Sequence, residues 1–546
     1  MANKYKLGID FGTTNSSISL RYDVTHTGKY ETVVFEPDGT ANNKQLLRSL
    51  VFIDENGIKS VGRNAWLDSA TKEIDELGAL IRKVKLILDD EKNDCLVKKV
   101  AGKNYYVSDI IAGILKRLMD SIGILPVDTE GVVFGVPVDY NDRCKNIMME
   151  AAVKAGIYKD LQDAINRTEF ISEPVAVIMD YVANNDFKLD ESNVVMVFDF
   201  GGGTLDCALA VTQGGIDRSN AKKQKIICKS GGRIGGEKFT ELFFERGFLK
   251  KYGLENFLRD FHINKHLNEE DLWQYLCGEI AGEISGVEFV EEMDKAKCAL
   301  SHNVTYDLNY VGRTKNAEVI KIKCSLERSD FEDSISEYYD QIKDVIYDCM
   351  DYGGCMAKDI NVVLMAGGSS IIPKVIEIVA KIFGKEKVVI PHNERQLTSI
   401  VRGLSVAGMR KDDQVLIDDV IDSDYGVWDV MTKRVNTILK RGTRIVDTGF
   451  NKRTLEGGVF REYLAVGSKA PRIEIFQGNA DDQHSFEKLG EFTLPTRGGG
   501  DYRIYFKADE AKGWLSVYVY DNVQKRFMDA DEDFEGQNCT FFLQMK

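Results

Sequence analysis

From residue 5 the chain alternates apolar with small or polar positions through "YKLGID", breaks at "FGTTN", and alternates again in "SISL". That is the period-two signature of two strands joined by a tight turn. The pattern returns from residue 197 as "VFDFGGGTLDCALA", again with Asp-Phe-Gly at the break. Elsewhere the period lengthens to that of a helix. "SDIIAGILKRLMDSIG" repeats Ile110, Ile114, Leu118 and Ile122 on one face, with Ser108 as the predicted N-cap. "EDSISEYYDQIKDVIYDCMDYGG" predicts one helix, with Ile335, Tyr339, Ile342, Ile346 and Cys349 inward and Gly353–Gly354 as its stop. "VVLMAGGSSIIPKVIEIVAKIFG" reads as a buried strand, a glycine turn and a helix with Pro373 in its first turn. Strands interleaved with helices up to about residue 410 predict an α/β architecture.

The character changes beyond Gly408. "RKDDQVLIDDVIDSD" is acidic with a short apolar centre, as an interdomain linker would be. After it, "RIEIFQG", "YRIYFKA" and "WLSVYVYD" are period-two strands between Gly- and Asp-rich turns, so a small all-β domain is expected. No long amphipathic helix is expected between those strands and the final "CTFFLQMK".

Composition narrows the options. A chain of 546 residues exceeds one core, so two to four domains are expected. A net charge of −15 argues against tracking a nucleic-acid backbone. No run approaches the ~20 apolar residues of a membrane span. The opening "MANKYKLGID" meets charge and then a strand, so a cytoplasmic location is the default expectation. The 10 cysteines stand singly without metal-ligand spacing, and reduced, buried thiols are expected. The closest two in sequence are Cys349 and Cys355. The 6 histidines form no cluster, and no Ser/His/Asp grouping suggests a hydrolytic triad.

The doubled hairpin is the candidate chemistry. A glycine-rich turn lets backbone N–H groups converge on a phosphate without a Cβ in the way. An Asp at the end of the first strand then stands beside those phosphates, where a carboxylate suits hydrated Mg²⁺. Two such hairpins, each opening its own α/β half, would grip one triphosphate from both sides.

With these motifs in this order the chain resembles the actin-like ATPases, and within them the heat-shock chaperones of the DnaK class. "GIDFGTTNS" is similar to the first phosphate loop of that family and "FDFGGGTLD" to the second. "FGVPVDYND" and "FISEPVAVIMDY" match the segments between, "IGGEKF" and "DKAKCALS" the nucleoside-facing part of the second lobe, and "VVLMAGGSSIIPK" the adenosine loop. "VMTKRVNTILKRGT" and "FQGN…LGEFTL" are similar to strands of its peptide-binding β-domain. The resemblance implies a two-lobed actin-like fold of duplicated ribonuclease-H-like halves followed by a β-sandwich without a helical lid. Its ATPase domain would span 1–410, with lobe I about 1–191 plus the final helix and lobe II about 192–385. A linker at 411–423 and a β-domain at 424–546 would follow.

The resemblance also implies residue roles. Asp10 and Asp199 would hold Mg²⁺ through water. Gly12, Thr13, Thr14 and Asn15 would contact phosphates from lobe I, and Gly201, Gly202, Gly203 and Thr204 from lobe II. Glu173 and Asp206 would order water and metal near the γ-phosphate, and with Asp199, Thr204 and a lysine they would make up the catalytic set. A lysine beside the attacking water is implied at Lys85, with Lys83 as second choice. Gly235, Gly236, Glu237, Asp294, Lys297, Ser301, Gly367, Gly368 and Ser369 would contact the nucleoside. Cys298 and Ile371 stand where the family stacks adenine between two arginines, so looser base selection is implied. Val415, Leu416 and Ile417 would couple the domains, and Asp418 departs from the family's aliphatic run. The implied function is ATP-driven binding of extended apolar polypeptide, with ATP/ADP and Mg²⁺ as cofactors and a J-domain protein and an exchange factor as partners. A small-molecule kinase, a filament-forming protein, and an ATPase with a specialised C-terminal adaptor are the alternatives.

Overall fold

The computed structural model describes residues 5–23, 30–37, 44–70, 78–91, 93–123, 129–138, 140–184, 193–212, 224–264, 266–277, 286–313, 318–391, 395–407, 417–429, 432–465, 472–494, 500–508 and 515–528. Two sheets repeat one plan. In the first, Tyr5–Asp10 pairs in parallel with Thr129–Val136, which pairs in parallel with Thr168–Ser172. On its other side Tyr5–Asp10 pairs antiparallel with Asn15–Asp23, and that strand with Tyr30–Val34. In the second, Asn193–Phe200 takes the centre, with Val362–Ala366 and Val388–Val389 parallel on one side. Leu205–Thr212 and Gln224–Gly232 follow antiparallel on the other. The central strand Asn193–Phe200 is apolar on both faces, with Met196 and Phe198 in one core and Val195 and Val197 in another, as a strand covered on both sides must be.

Helices Glu173–Ala183 and Arg395–Ala407 pack against one another between the sheets. The second returns to the first sheet, where Ser19 Oγ donates to Val401 O at 2.6 Å. Their contact is so close that a Cβ on Gly403 would lie 1.7 Å from Ala176 O. Asp180, fully buried, accepts from Arg395 Nε at 2.9 Å and Arg402 Nε at 3.1 Å, so its charge is paired twice.

The period-two segments at the C-terminal end build two four-stranded antiparallel sheets around one core. One has the order Arg434–Leu439, Asp424–Asp429, Arg472–Asn479, Asp482–Thr493. The other runs Val459–Ala465, Gly500–Ala508, Leu515–Asp521, Arg526–Phe527.

Two local expectations are corrected. Ser108 is not an N-cap: the helix is Val107–Ile122, and Ser108 Oγ donates instead to Asp94 Oδ2 at 2.6 Å. Asp109 supplies the capping contact, accepting from Tyr106 N at 2.9 Å. The helix expected from Ile335 is two, Arg328–Ser334 and Tyr338–Tyr352, and Ile335 is the C-cap of the first. Its buried apolar side chain belongs to the core without belonging to the longer helix. The segment 244–276, longer in the sequence than its family equivalent and without an assigned function, packs Phe244, Phe248, Phe257, Phe261 and Trp273 into an aromatic cluster with Phe289.

Candidate functional site

The two Asp-Phe-Gly hairpins meet turn to turn. A Cβ on Gly202 would lie 2.4 Å from Thr14 Oγ1, and one on Gly203 would lie 2.5 Å from Thr13 Oγ1. The loop before helix Gly236–Leu242 closes over the second turn: Gly236 N donates to Gly201 O at 3.1 Å and Glu237 N to Gly202 O at 2.9 Å. Gly235 is required there, since its Cβ would meet Gly202 O at 2.2 Å. Ser369 Oγ donates to Gly201 O at 2.7 Å from the third glycine turn. Gly367 opens that turn with a φ of 77°, a left-handed conformation that glycine adopts without strain. Among the residues with proposed phosphate contacts, Gly12 sits where a Cβ would meet Asn15 O at 2.1 Å. The cradle is therefore backbone, as close approach to a phosphate demands.

Carboxylates gather behind it, Glu173 and Asp10 beside the Lys85 ammonium and Asp206 beside Asp199. Lys85, buried near the start of helix Val84–Glu91, sets its Nζ 2.7 Å from Glu173 Oε1. Glu173 is the first residue of helix Glu173–Ala183 and is followed by Pro174, so the strand-to-helix turn fixes its position. Burial works against the Lys85 charge, but Glu173 and Asp10 beside it hold its pKa above the ordinary lysine value. Lys83 goes elsewhere. Its backbone φ is 55°, and its Nζ lies 3.5 Å from Glu237.

Asp199 faces Asp206 directly across the antiparallel pair, and both are buried. Like charges so placed repel. Burial, then Glu173, Asp206 and Asp10, push the Asp199 carboxyl well above its usual range. Burial and Glu173 raise Asp10 to about 7. Asp206 Oδ1 accepts from Val138 N at 2.9 Å, whereas Asp199 Oδ1 is buried without a hydrogen-bond partner. An orphaned carboxylate oxygen amid excess negative charge fits a hydrated divalent cation.

The nucleoside-side residues occupy the second lobe. Lys297 Nζ lies 2.7 Å from Asp294 Oδ1 and donates to Gly236 O at 2.8 Å. Despite burial, Lys297 and Arg48 hold the Asp294 carboxyl below its usual range. Ser301 Oγ bonds its own helix, at Lys297 O. Cys298 is exposed on helix Val287–His302, and Ile371, half-buried, ends the turn Gly368–Ile371.

A charge cluster that sequence reasoning missed ties the lobes together here. Arg48 reaches Glu291 at 2.7 Å, Arg82 reaches Glu291 at 3.7 Å, and Thr14 Oγ1 donates to Glu237 Oε1 at 2.8 Å. The available signals were slight: Arg82 precedes Lys83, and Glu291 lies one helical turn before Asp294.

A family model described as Hsp70 protein matches residues 6–497. The chain belongs to the Hsp70 family. Hsp70 proteins are ATPases with chaperone function; they bind nucleotide and unfolded polypeptide, and the kinase and filament alternatives are not favoured. The chain is 25% identical over 515 residues to the mitochondrial heat shock 70 kDa protein of Solanum tuberosum, covering 89% of this chain and 66% of that one. It is 27% identical over 543 residues to the chloroplastic stromal 70 kDa heat shock-related protein of Pisum sativum, covering 94% and 68%. It is 26% identical over 551 residues to the chloroplastic heat shock 70 kDa protein 6 of Arabidopsis thaliana, covering 95% and 68%. The chain thus spans about two thirds of the length of these relatives. Their names overturn the cytoplasmic expectation, since each is assigned to mitochondria or chloroplasts. A charged N-terminus before a strand was no guide to compartment.

In this Hsp70 chain the segment leading into the β-sandwich joins the second sheet. Ile417–Asp418 pairs in parallel with Gln224 and Lys225 as a sixth strand. Val415 and Leu416 lie outside the described residues. Asp418 meets an arginine, Arg444, which belongs to the sandwich and not to the lobes. Lys229, from the strand Gln224–Gly232, reaches Asp419 at 3.1 Å, and its carbonyl accepts from Arg441 Nη2 at 2.9 Å. On the first lobe, Asp142 N donates to Gln477 Oε1 at 3.3 Å, and Asp142 Oδ2 accepts from Leu515 N at 3.4 Å.

Proposed function

We propose that this Hsp70 chain hydrolyses ATP between its two hairpins and couples the nucleotide to the binding of extended apolar polypeptide by its β-sandwich. The observation that carries the reading is the buried Lys85–Glu173 pair beside Asp10, Asp199 and Asp206, enclosed by a backbone cradle. Asp10 and Asp199 hold a hydrated Mg²⁺, which when bound neutralises phosphate charge. Lys85, fixed by Glu173, orients the attacking water, and Thr204 and Asp206 order the γ-phosphate side. Positioning and charge neutralisation are what phosphoryl transfer to water needs. Gly201, Gly202, Gly203, Thr13 and Thr14 contact the phosphates. Asp294, Lys297, Ser301, Gly367 and Gly368 serve the nucleoside.

The proposed domains are 1–410 for the ATPase, 411–423 for the linker and 424–546 for the sandwich. A J-domain protein and a nucleotide-exchange factor are the proposed partners. Coupling runs through Ile417 and its pairing to Gln224, which supports a shared response of the second lobe and the sandwich. Replacing Ile417 with Pro removes a backbone donor and forces its ring into that pairing. Peptide affinity of the intact chain, measured with and without ATP and Mg²⁺, is expected to shift in wild type. In Ile417→Pro the shift shrinks several-fold while basal hydrolysis persists. An equal shift in both proteins would reduce the segment to a tether.

A further inference from the structure

The buried thiols are not all isolated. Cys228, on the strand Gln224–Gly232, and Cys349, in the last turn of helix Tyr338–Tyr352, place their sulfurs 3.8 Å apart. They are 121 residues apart in sequence, so no spacing rule could pair them. Cys228 Sγ also donates to Cys349 O at 2.9 Å. Strand alternation explains the facing: Cys228 points to the helix, while Lys229 beside it points to Asp419. Gly353 leaves the approach open, since a Cβ there would crowd Cys228 Sγ at 3.0 Å. Cys355, the sequence neighbour of Cys349, turns to Gly353 O instead.

We propose that Cys228 and Cys349 are a modification site, closing to a reversible disulfide when a hydroperoxide is the oxidant. The sulfurs must approach from 3.8 Å to about 2.05 Å. The two thiols are chemically unequal. In the sulfur–sulfur contact the Cys349 Sγ–H donates to the Cys228 sulfur, which lowers the Cys228 pKa against the opposing effect of burial, with Arg441 and Lys229 adding to it. The same bond and burial raise Cys349. Cys228 is therefore the attacking thiolate. Its sulfur takes the terminal oxygen of the hydroperoxide, the O–O bond breaks, and an alcohol, or water from hydrogen peroxide, leaves. The resulting Cys228 sulfenic acid is attacked by Cys349 sulfur, the S–O bond breaks, and the hydroxide leaves as water with the Cys349 proton. Two thiols and one hydroperoxide become one disulfide, one alcohol and one water.

The location gives the bond a consequence. The strand carries the Ile417–Asp418 pairing and the Lys229 carbonyl that Arg441 holds. The helix carries Tyr352, over whose ring the Arg441 guanidinium lies at 4.7 Å. A disulfide would lock together the two elements on which the sandwich rests against this lobe. The site stands apart from the chaperone reading, and its test does not use activity.

The reduced full-length chain is treated with hydrogen peroxide, quenched by alkylation and digested with trypsin without reductant. Expected is a peptide pair joining Ile226–Lys229 to Asp344–Lys358, lighter by two hydrogens than the reduced pair, with fragmentation placing the bond at Cys349. Dithiothreitol should release it. Cys355→Ser should leave the linked pair intact, whereas Cys349→Ser abolishes it. A bond at Cys355, or alkylation of Cys228 and Cys349 throughout the treatment, overturns the proposal. Because the bond is mapped on the wild-type chain, a poorly folding variant does not alter that outcome.

Discussion

The first hairpin carries Gly12-Thr13-Thr14 at its turn, and the second carries Gly201-Gly202-Gly203-Thr204. The threonines of the first occupy the space that side chains on the second would need, with Thr13 and Thr14 hydroxyls against Gly203 and Gly202. The glycines of one lobe therefore answer the threonines of the other, besides leaving backbone free for a phosphate. The strands behind the turns differ too. Asp10 faces Ser17 across its pair, whereas Asp199 faces Asp206. Lobe II thus sets two carboxylates face to face, and lobe I supplies the Lys85 ammonium, which offsets part of that charge while Glu173 adds to it. A duplicated backbone plan has been given unequal chemistry, as one asymmetric ligand gripped from two sides requires.

The largest effect should come from the single ammonium. Lys85→Ala is expected to slow single-turnover ATP hydrolysis about a hundredfold, about 2.7 kcal/mol of barrier, while calorimetry still detects ATP binding. Lys83→Ala, which breaks only the Glu237 contact, should leave the rate within a few-fold of wild type. The opposite pattern would transfer the role to Lys83.

The interlocking turns come next. Gly202→Ala forces a methyl against Thr14 Oγ1, and overpacking of this kind costs about 2 kcal/mol, or roughly thirtyfold in ATP affinity. Adding Thr14→Ala should recover part of that loss. Gly201→Ala, whose Cβ would meet only Thr204 O at 3.8 Å, should bind nearly as well as wild type. Equal losses at Gly201 and Gly202 would show that the turns do not interlock.

On the nucleoside side neither Cys298 nor Ile371, both on the second lobe, offers a stacking cation. Introducing Arg at both should tighten ATP roughly tenfold if each contact returns ~0.7 kcal/mol. Unchanged affinity by calorimetry would remove these positions from the base.

The smallest effect tests the carboxylate contrast. Asp10 in the fold titrates near 7, above the ordinary aspartate value of 3.8. The folded state therefore binds the proton more tightly, so the contribution of Asp10 is favourable at low pH and is lost as pH rises from about 4 to about 7. Urea unfolding with a chelator present should show stability falling over that window. Asp206→Asn relieves Asp199 of one neighbouring charge and should recover about 1 kcal/mol at pH 8. A variant no more stable than wild type would mean that the facing pair carries no repulsion.

Much of the fold was legible because burial on both faces writes itself into short range. The hairpins, the strand before Gly367 and the helix opened by Pro373 are all local patterns. Legibility failed where a distant group intervened. Ser108 looks like a cap until Asp94 takes its hydroxyl. Lys85 is preferred to Lys83 in the sequence only by resemblance, and the left-handed backbone at Lys83 accompanies their divergence to Glu237 and Glu173. Asp418 departs from the family's aliphatic run in the sequence, yet nothing local names its partner, Arg444 of the sandwich.

By itself, then, the sequence determined the order of strands, turns and helices, the two backbone cradles and the acidic residues at their bases. Each is a property of a few consecutive residues, where periodicity and glycine suffice. Tertiary structure alone decided which charges meet. Arg48 and Glu291 are separated by 243 residues, Lys85 and Glu173 by 88, and Lys229 and Asp419 by 190. Pairing of this kind is enforced by the cost of burying an unmatched charge, and that cost exists only once the lobes have closed the site from water.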